Sequence, residues 1–281
     1  MKIEILPNPV KDTGYVITNK LIEILSGYDC GIYLSDPAVA ASERVIRSVC
    51  DKPDMMIVIG GDGSIIRAAH KAAQVGSPIL GINLGRVGFL AEVNTDELEL
   101  VRKIFTKEYT VEKRMMLDVA RVTENGKKTE RMTALNDAVI SHGRVSKIVE
   151  TELYCGGDLT GKFRSDGFLV STPTGSTAYS LAAGGPVIDP MMRGISLVPI
   201  CPHSLTARPM IVPDTTVVEL RFTVSDEADA FLTVDGLEAG ELKTSDSVII
   251  TASEKTADLV RINREHKKNF YETLHEKMRA V

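Results

Sequence analysis

Met55-Met56-Ile57-Val58-Ile59 is an unbroken apolar run, and Gly60-Gly61-Asp62-Gly63-Ser64 follows it directly. A run of that length suits a strand buried on both faces, as in a parallel sheet covered by helices. Ile65, Ala69, Ala72 and Ala73 then recur at helical spacing. The segment reads as strand, tight turn, helix. The same alternation surrounds it. Ile3 to Leu6 reads as a strand, and Ile17, Leu21, Ile24 and Leu25 as one helix face. Val45, Ile46 and Val49, with Val39 preceding, read as a second helical patch. Pro78-Ile79-Leu80-Gly81-Ile82 is another buried strand. Thr95 is placed to cap a helix whose first turn carries Asp96 and Glu97. Strand–helix alternation predicts an α/β domain with a mostly parallel sheet over residues 1–110.

From 111 to 255 the period changes to two. Leu117 and Val119 alternate with Asp118 and Ala120, and Asn125-Gly126 is a hairpin signal. Val218, Leu220, Phe222 and Val224 oppose Glu219, Arg221 and Thr223. Phe231-Leu232-Thr233-Val234 runs into the turn pair Asp235-Gly236, and Val248-Ile249-Ile250 adds a strand. This stretch reads as a β-rich second domain. Residues 256–281 end in a helix over Arg264 to Ala280 with Phe270, Leu274, Lys277 and Met278 on one face. A lone helix cannot bury such a stripe, so it is expected to return to the first domain. Two domains fit a chain of 281 residues.

The net charge of −5 argues against nucleic-acid or membrane binding driven by bulk charge. Cys30, Cys50, Cys155 and Cys201 have no zinc or redox spacing, and read as reduced, mostly buried thiols of a cytoplasmic protein. The first residues do not form a signal peptide, and no apolar stretch reaches transmembrane length.

The glycines at 60, 61 and 63 let the backbone approach a ligand, and the turn into a helix attracts phosphate. Neither the Walker loop nor the GxGxxG fingerprint is present, since Ile66 stands at the third glycine position of the latter. Asp62 is the odd member. A carboxylate facing phosphates is repelled, so its presence calls for a chemical role. It could take a proton from an attacking hydroxyl, or position a magnesium-bound nucleotide. Its bland reading is a turn aspartate. Asn136-Asp137 could hold ribose hydroxyls or be a polar strand end. In the stretch from Arg164 and Asp166 to Pro186, Leu169-Val170 reads as a strand core, and the run after it, with Thr174, Thr177, Ala178, Tyr179 and Ser180, is rich in hydroxyls and too polar for core. Tyr179 could stack on a ring, and Arg164 with Asp166 could bind a ligand or form a surface ion pair.

These clusters, in this order, resemble the NAD kinases. Gly81-Ile82-Asn83-Leu84-Gly85-Arg86-Val87-Gly88-Phe89-Leu90, Pro199-Ile200-Cys201-Pro202-His203-Ser204-Leu205 and the tail Phe270-Tyr271, Leu274, Lys277 are similar to further segments of that family. The resemblance implies a kinase that phosphorylates the adenosine ribose 2′-hydroxyl of NAD with ATP, Mg²⁺ being carried by the nucleotide. It implies that Asp62 is the catalytic base, that Gly61 and Gly63 face phosphates and ribose, that Arg67 lies near the substrate and Phe89 near adenine. Asn136 and Asp137 would bind ribose hydroxyls. Thr174, Thr177, Ala178, Tyr179 and Ser180 would line the NAD pocket. Arg164 and Asp166 would contact the dinucleotide, including from a neighbouring subunit of a homodimer or homotetramer. Asp137 stands where the family often has glutamate, and Ser165 where it has glycine or alanine. Phosphofructokinases and lipid kinases share GGDGS-type loops, but their TIDND-like and PxGTGND-like segments are absent. A nucleotide sensor would not need Asp62, and a dehydrogenase lacks its redox constellation here.

Overall fold

The structure, a computed structural model, describes residues 1–34, 45–85, 88–129, 131–142, 148–223, 230–265 and 268–279. From the N-terminus the chain forms β1 (Lys2–Pro7), α1 (Val16–Ser26), β2 (Gly31–Tyr33), β3 (Val45–Ile46), β4 (Met55–Gly60), α2 (Asp62–Val75), β5 (Ile79–Asn83) and β6 (Val93–Asn94), then a 3-10 helix over Thr95–Ile104. β7 (Tyr109–Val122) leads into β8 (Met132–Ala134), β9 (Asp137–His142), β10 (Val149–Cys155), β11 (Asp158–Ser165) and β12 (Gly167–Ser171). The short α3 (Tyr179–Ala182) follows, then β13 (Gly194–Ile200), β14 (Met210–Pro213), β15 (Val218–Thr223), β16 (Ala230–Val234) and β17 (Leu237–Leu242). β18 (Ser247–Ile262) and α4 (Phe270–Arg279) close the chain. Two compact units result: Met1–Lys113 with Ala257–Val281, and Arg114–Thr256. β7 and β18 each carry the chain from one unit into the other, so the C-terminal helix belongs to the first unit, as its unpaired stripe required.

In the first unit the parallel strands lie in the order β3-β2-β1-β4-β5. β6 and Leu259 of β18 also pair with β5. Every residue of β4 and β5 is buried, which is why their sequences are apolar runs apart from Asn83 at the end of β5. Leu21 and Leu25 of α1 pack with Ile3, Ile5, Ile57 and Ile59 of the sheet. The order fixes where a ligand belongs. The chain leaves β1 outward through β2 and β3, then returns to the other side of β1 as β4. The switch point therefore lies between the C-terminal ends of β1 and β4, where open α/β sheets hold their ligands. Those ends are Pro7-Asn8 and Gly60-Gly61-Asp62.

The second unit has two antiparallel arrays. One is β14-β13-β12-β9-β16-β17; the other runs β11-β10-β15 onto the first half of β18. Inward residues of both, among them Phe168, Leu197, Leu220 and Ile250, share one core. The Asn125-Gly126 turn joins β7 to β8, with Gly126 at φ +72°.

Several local expectations are corrected. Val45 and Ile46 form an edge strand beside Ile32 and Tyr33, not a helix; β-branched residues suit that role. Val39 and Val224 lie outside the described residues. The segment after β6 is 3-10, and its cap is Asn94 rather than Thr95: the Glu97 carboxylate accepts from the Asn94 backbone and side chain at 3.3 and 3.0 Å. The last helix begins at Phe270, not Arg264. A reciprocal box, Glu272 N–H to Asn269 Oδ1 at 2.9 Å and Asn269 N–H to Glu272 Oε2 at 2.8 Å, sets that start. Arg264 instead donates to the Glu92 carbonyl and the Glu97 carboxylate. Met278 is exposed rather than packed. Of the four free cysteines only Cys50 is buried; Cys201 is exposed in the turn after β13.

Candidate active site

In the first unit, α2 starts at Asp62 because Gly61 is extended and Gly60 admits no side chain: a Cβ there would overlap the Ser64 hydroxyl. That hydroxyl accepts from Asn8 Nδ2 at 2.9 Å, while Asn8 Oδ1 accepts from the N–H groups of Val10 and Lys11. One asparagine thus ties the loop after β1 to the glycine loop. A cavity of about 540 Å³ opens beside them, lined in part by Asn8, Lys11, Ser64, Arg67 and Lys71. Lys71 is neutralised by buried Glu4 at 2.6 Å. Lys11 and Arg67 are exposed and have no carboxylate partner among the described residues. The Lys11 ammonium lies 3.0 Å from where a Gly61 Cβ would stand.

The Asp62 carboxylate is gripped rather than loose. Its Oδ2 accepts from Phe89 N–H at 2.9 Å and its Oδ1 from Leu90 N–H at 3.1 Å. Gly88 makes that approach possible, because a Cβ at 88 would overlap the carboxylate. The carbonyls of the same two residues accept from the largely buried Arg261 of β18 at 3.4 and 3.2 Å. Arg261 also meets Glu92 and Glu112. Segment 89–90 is therefore clamped on both edges, and it presents two N–H dipoles that fix the plane of the carboxylate. Lys277 of α4 approaches Asp62 Oδ2 at 3.8 Å and lies 4.4 Å from the Phe89 ring centroid. This arrangement leaves an oriented carboxylate at a helix N-terminus, suited to accepting a proton beside bound phosphate.

In the second unit the turn Leu135-Asn136-Asp137 is held by a residue that the sequence marked only as a turn. Asp235 accepts from the N–H groups of Leu135, Asn136 and Asp137 at 2.7, 2.7 and 3.1 Å. The hydroxyl-rich run contributes differently from expectation. Ser171, Thr172, Thr174, Ser176 and Ser180 are buried, not surface. Thr172 Oγ1 donates to the Leu135 carbonyl at 2.5 Å and Ser171 Oγ to the Asn136 carbonyl at 3.1 Å. Gly175 packs so close to the Asn136 carbonyl that a Cβ would overlap it. These two hydroxyls are core because each finds a backbone partner, the condition under which polar groups bury. Ser180 Oγ is the exception, buried without a partner among the described residues. Thr174 Oγ1 accepts from buried Arg114 at 3.2 Å.

Asp137 is 6% exposed. Burial first, and the Asp235 charge second, push its carboxyl up from 3.8 to about 7. Tyr179 is 47% exposed at the start of α3. Burial, then Cys201, Asp137 and Asp166, raise its phenol above the ordinary range, so it is a neutral hydroxyl at physiological pH. Thr177 is half-buried and Ala178 exposed. Arg164 does not pair with Asp166. It meets Glu150 at 3.1 Å, its directly opposite partner in the β10–β11 pairing. Ser165, where a glycine or alanine was expected, is buried and donates to the Gly167 carbonyl at 2.8 Å, so its hydroxyl fits the strand junction.

The structure thus gathers Asp62, Gly61, Gly63, Arg67 and Phe89 in the first unit. It gathers Asn136, Asp137, Thr174 and residues 177–180 in the second. Sequence reasoning missed Asn8, Arg261 and Asp235. Asn8 carried one signal, its place directly after the first strand.

The family model described as ATP-NAD kinase N-terminal domain matches residues 14–109, and the one described as ATP-NAD kinase C-terminal domain matches 135–262. The NAD kinase of Lachnoclostridium phytofermentans is 37% identical, covering 93% of this chain and 94% of that protein. That of Natranaerobius thermophilus is 36% identical over 98% and 97%. Among solved structures, yeast NADH kinase complexed with NADH superposes with a TM-score of 0.87 at 22% identity, over 99% of this chain and 87% of that one. An NAD kinase from Archaeoglobus fulgidus in complex with ATP gives 0.74 at 24% identity, with both chains covered completely. With both domains matched and relatives above a third identical along nearly its whole length, this chain belongs to the ATP-NAD kinase family.

Proposed function

We propose that this protein transfers the γ-phosphoryl group of ATP to the 2′-hydroxyl of the adenosine ribose of NAD, making NADP. The observation that carries this reading is Asp62, a carboxylate fixed by two backbone N–H groups at the sheet's switch point. The 2′-oxygen attacks the γ-phosphorus, the bond from that phosphorus to the β,γ-bridging oxygen breaks, and ADP leaves. Asp62 accepts the hydroxyl proton and returns it to solvent. Such transfer depends on positioning and on spreading charge, so fixed dipoles and cations matter more than covalent chemistry.

Lys11 and Arg67 face the donor phosphates across the cavity beside Ser64, and their lack of carboxylate partners among the described residues supports that role. Gly61 and Gly63 allow close approach of phosphate and ribose. Phe89 lies against adenine. Asn136 and Asp137 hold ribose hydroxyls; Thr174, Thr177, Ala178, Tyr179 and Ser180 shape the dinucleotide wall, Ser180 from beneath it. Mg²⁺ arrives with the nucleotide. Among the described residues no cluster of three or more His, Cys, Asp or Glu forms a protein-only site for an ion. Arg164 and Asp166 reach a dinucleotide held by a second copy in a homodimer or homotetramer, and the protein acts in the cytoplasm. No helix among the described residues is long and apolar enough to cross a membrane.

The test is direct. Purified protein with NAD, ATP and Mg²⁺ should yield NADP and ADP in equal amounts, with the new phosphate on the 2′-oxygen by ³¹P NMR. Intact NAD binding without product, under varied donors, would overturn the proposal.

A further inference from the structure

We propose that Lys277 is a positioning residue for the transfer, holding the Asp62 carboxylate aimed beside an incoming polyphosphate. This rests on the kinase reading above. The argument begins with the face that α4 turns inward. Phe270, Thr273 and Lys277, at i, i+3 and i+7, share one side of the helix. Phe270 tilts against Phe89 with ring centroids 5.6 Å apart. Thr273 is buried. The third position, where a docked helix ordinarily carries an apolar side chain, is a lysine.

That lysine makes two contacts. Its ammonium lies over the Phe89 ring at 4.4 Å and 3.8 Å from Asp62 Oδ2. Among the described residues no other cation is within ion-pair reach of Asp62. The side chain is 40% exposed, so as a stabilising ion pair it would count for little. Its value is local. The N–H groups of Phe89 and Leu90 orient the carboxylate but carry no net charge. When phosphate oxygens arrive at the loop, their repulsion pushes the carboxylate away from its place beside them. A cation held at that carboxylate offsets the repulsion. The cation–π contact restrains an otherwise flexible stem, and Phe270 holds the helix that supplies it. The same segment, 88–90, therefore grips Asp62 and seats the residue that supplies its counter-charge.

The experiment compares full-length wild type with Lys277→Gln, Lys277→Arg and Lys277→Ala. For Lys277→Gln, kcat should fall about 10- to 100-fold, with KM for NAD and for ATP each within about threefold. Its melting temperature should stay within about 2 °C, as for a surface substitution. Lys277→Arg should recover much of the rate, and added ethylammonium should partly restore Lys277→Ala. A Lys277→Gln kcat within about twofold of wild type overturns the inference and leaves the kinase reading standing. So does a loss in which both KM values rise, the melting temperature drops, and neither arginine nor amine helps; the lysine would then only dock the helix. No NADP from the wild type would overturn the kinase reading itself, and this inference with it.

Discussion

Two positions carry much of the site's geometry through what they lack or how they titrate. At 88 any side chain would overlap the Asp62 carboxylate. Gly88→Ala should therefore lower kcat by about tenfold or more while the protein stays folded by circular dichroism, because the Asp62 carboxylate must move by about 1 Å or more to clear the added methyl. Unchanged kcat would mean the carboxylate need not sit there. Asp137 makes a prediction about pH. Its folded value of about 7 exceeds the ordinary 3.8. The folded state then binds more protons between those values, so the contribution to stability is intact below about pH 4, is lost as pH rises toward about 7 and stays lost above it. The difference is on the order of 4 kcal/mol. Asp137→Asn, neutral and similar in shape, should raise the melting temperature clearly at about pH 8 and little at about pH 4.5; equal changes at both would contradict this. Asp62 was legible in the sequence because three glycines and a strand–helix junction surround it. The state of Asp137 was not, because its burial depends on the tertiary packing and Asp235, the second cause, lies 98 residues away.

Among elements, the stretch from Ser171 to Ser180 and the closing helix show why composition misleads. The stretch looked too polar for core, yet Ser171 and Thr172 are buried because their hydroxyls bond the carbonyls of the turn carrying Asn136. Sequence supplies the hydroxyls but not their partners. Thr172→Val removes the bond to Leu135 and leaves Gly175 N–H without its acceptor. It should cost about 1–3 kcal/mol in denaturant unfolding. On the proposed roles it should also raise KM for NAD more than it lowers kcat, since it loosens the turn carrying Asn136 and not the segment that grips Asp62. A kcat effect with normal KM would contradict that division. The closing helix was legible as amphipathic, but its start was not, although Asn269 and Glu272 form a capping pair visible in the sequence. Its apolar stripe was read too broadly: Met278 is exposed, and Lys277 occupies a docking position.

For the whole molecule, the alternation of strands and helices announced an α/β unit, and period two announced the β-rich one. Strand order could not be read, and strand order is what makes Asn8 and the glycine loop neighbours. Nor was it evident that β18 would complete both units. Ala257, Leu259, Val260 and Ile262 are buried in the first unit, and Arg261 clamps the segment that holds Asp62. A chain ending after residue 256 should therefore fail to fold its first unit. One ending after 267 should keep its far-UV circular dichroism and melt cooperatively, but turn over poorly for want of Lys277. Equal behaviour of the two truncations would contradict this division of labour. The central claim is that Asp62 is the base in transfer to NAD, and Asp62→Asn tests it most directly. NAD affinity by calorimetry and NADP formation with ATP and Mg²⁺ should be measured on the same preparation. The account predicts affinity within about threefold of wild type and kcat lower by about 100-fold or more. NADP formation at near the wild-type rate would contradict it.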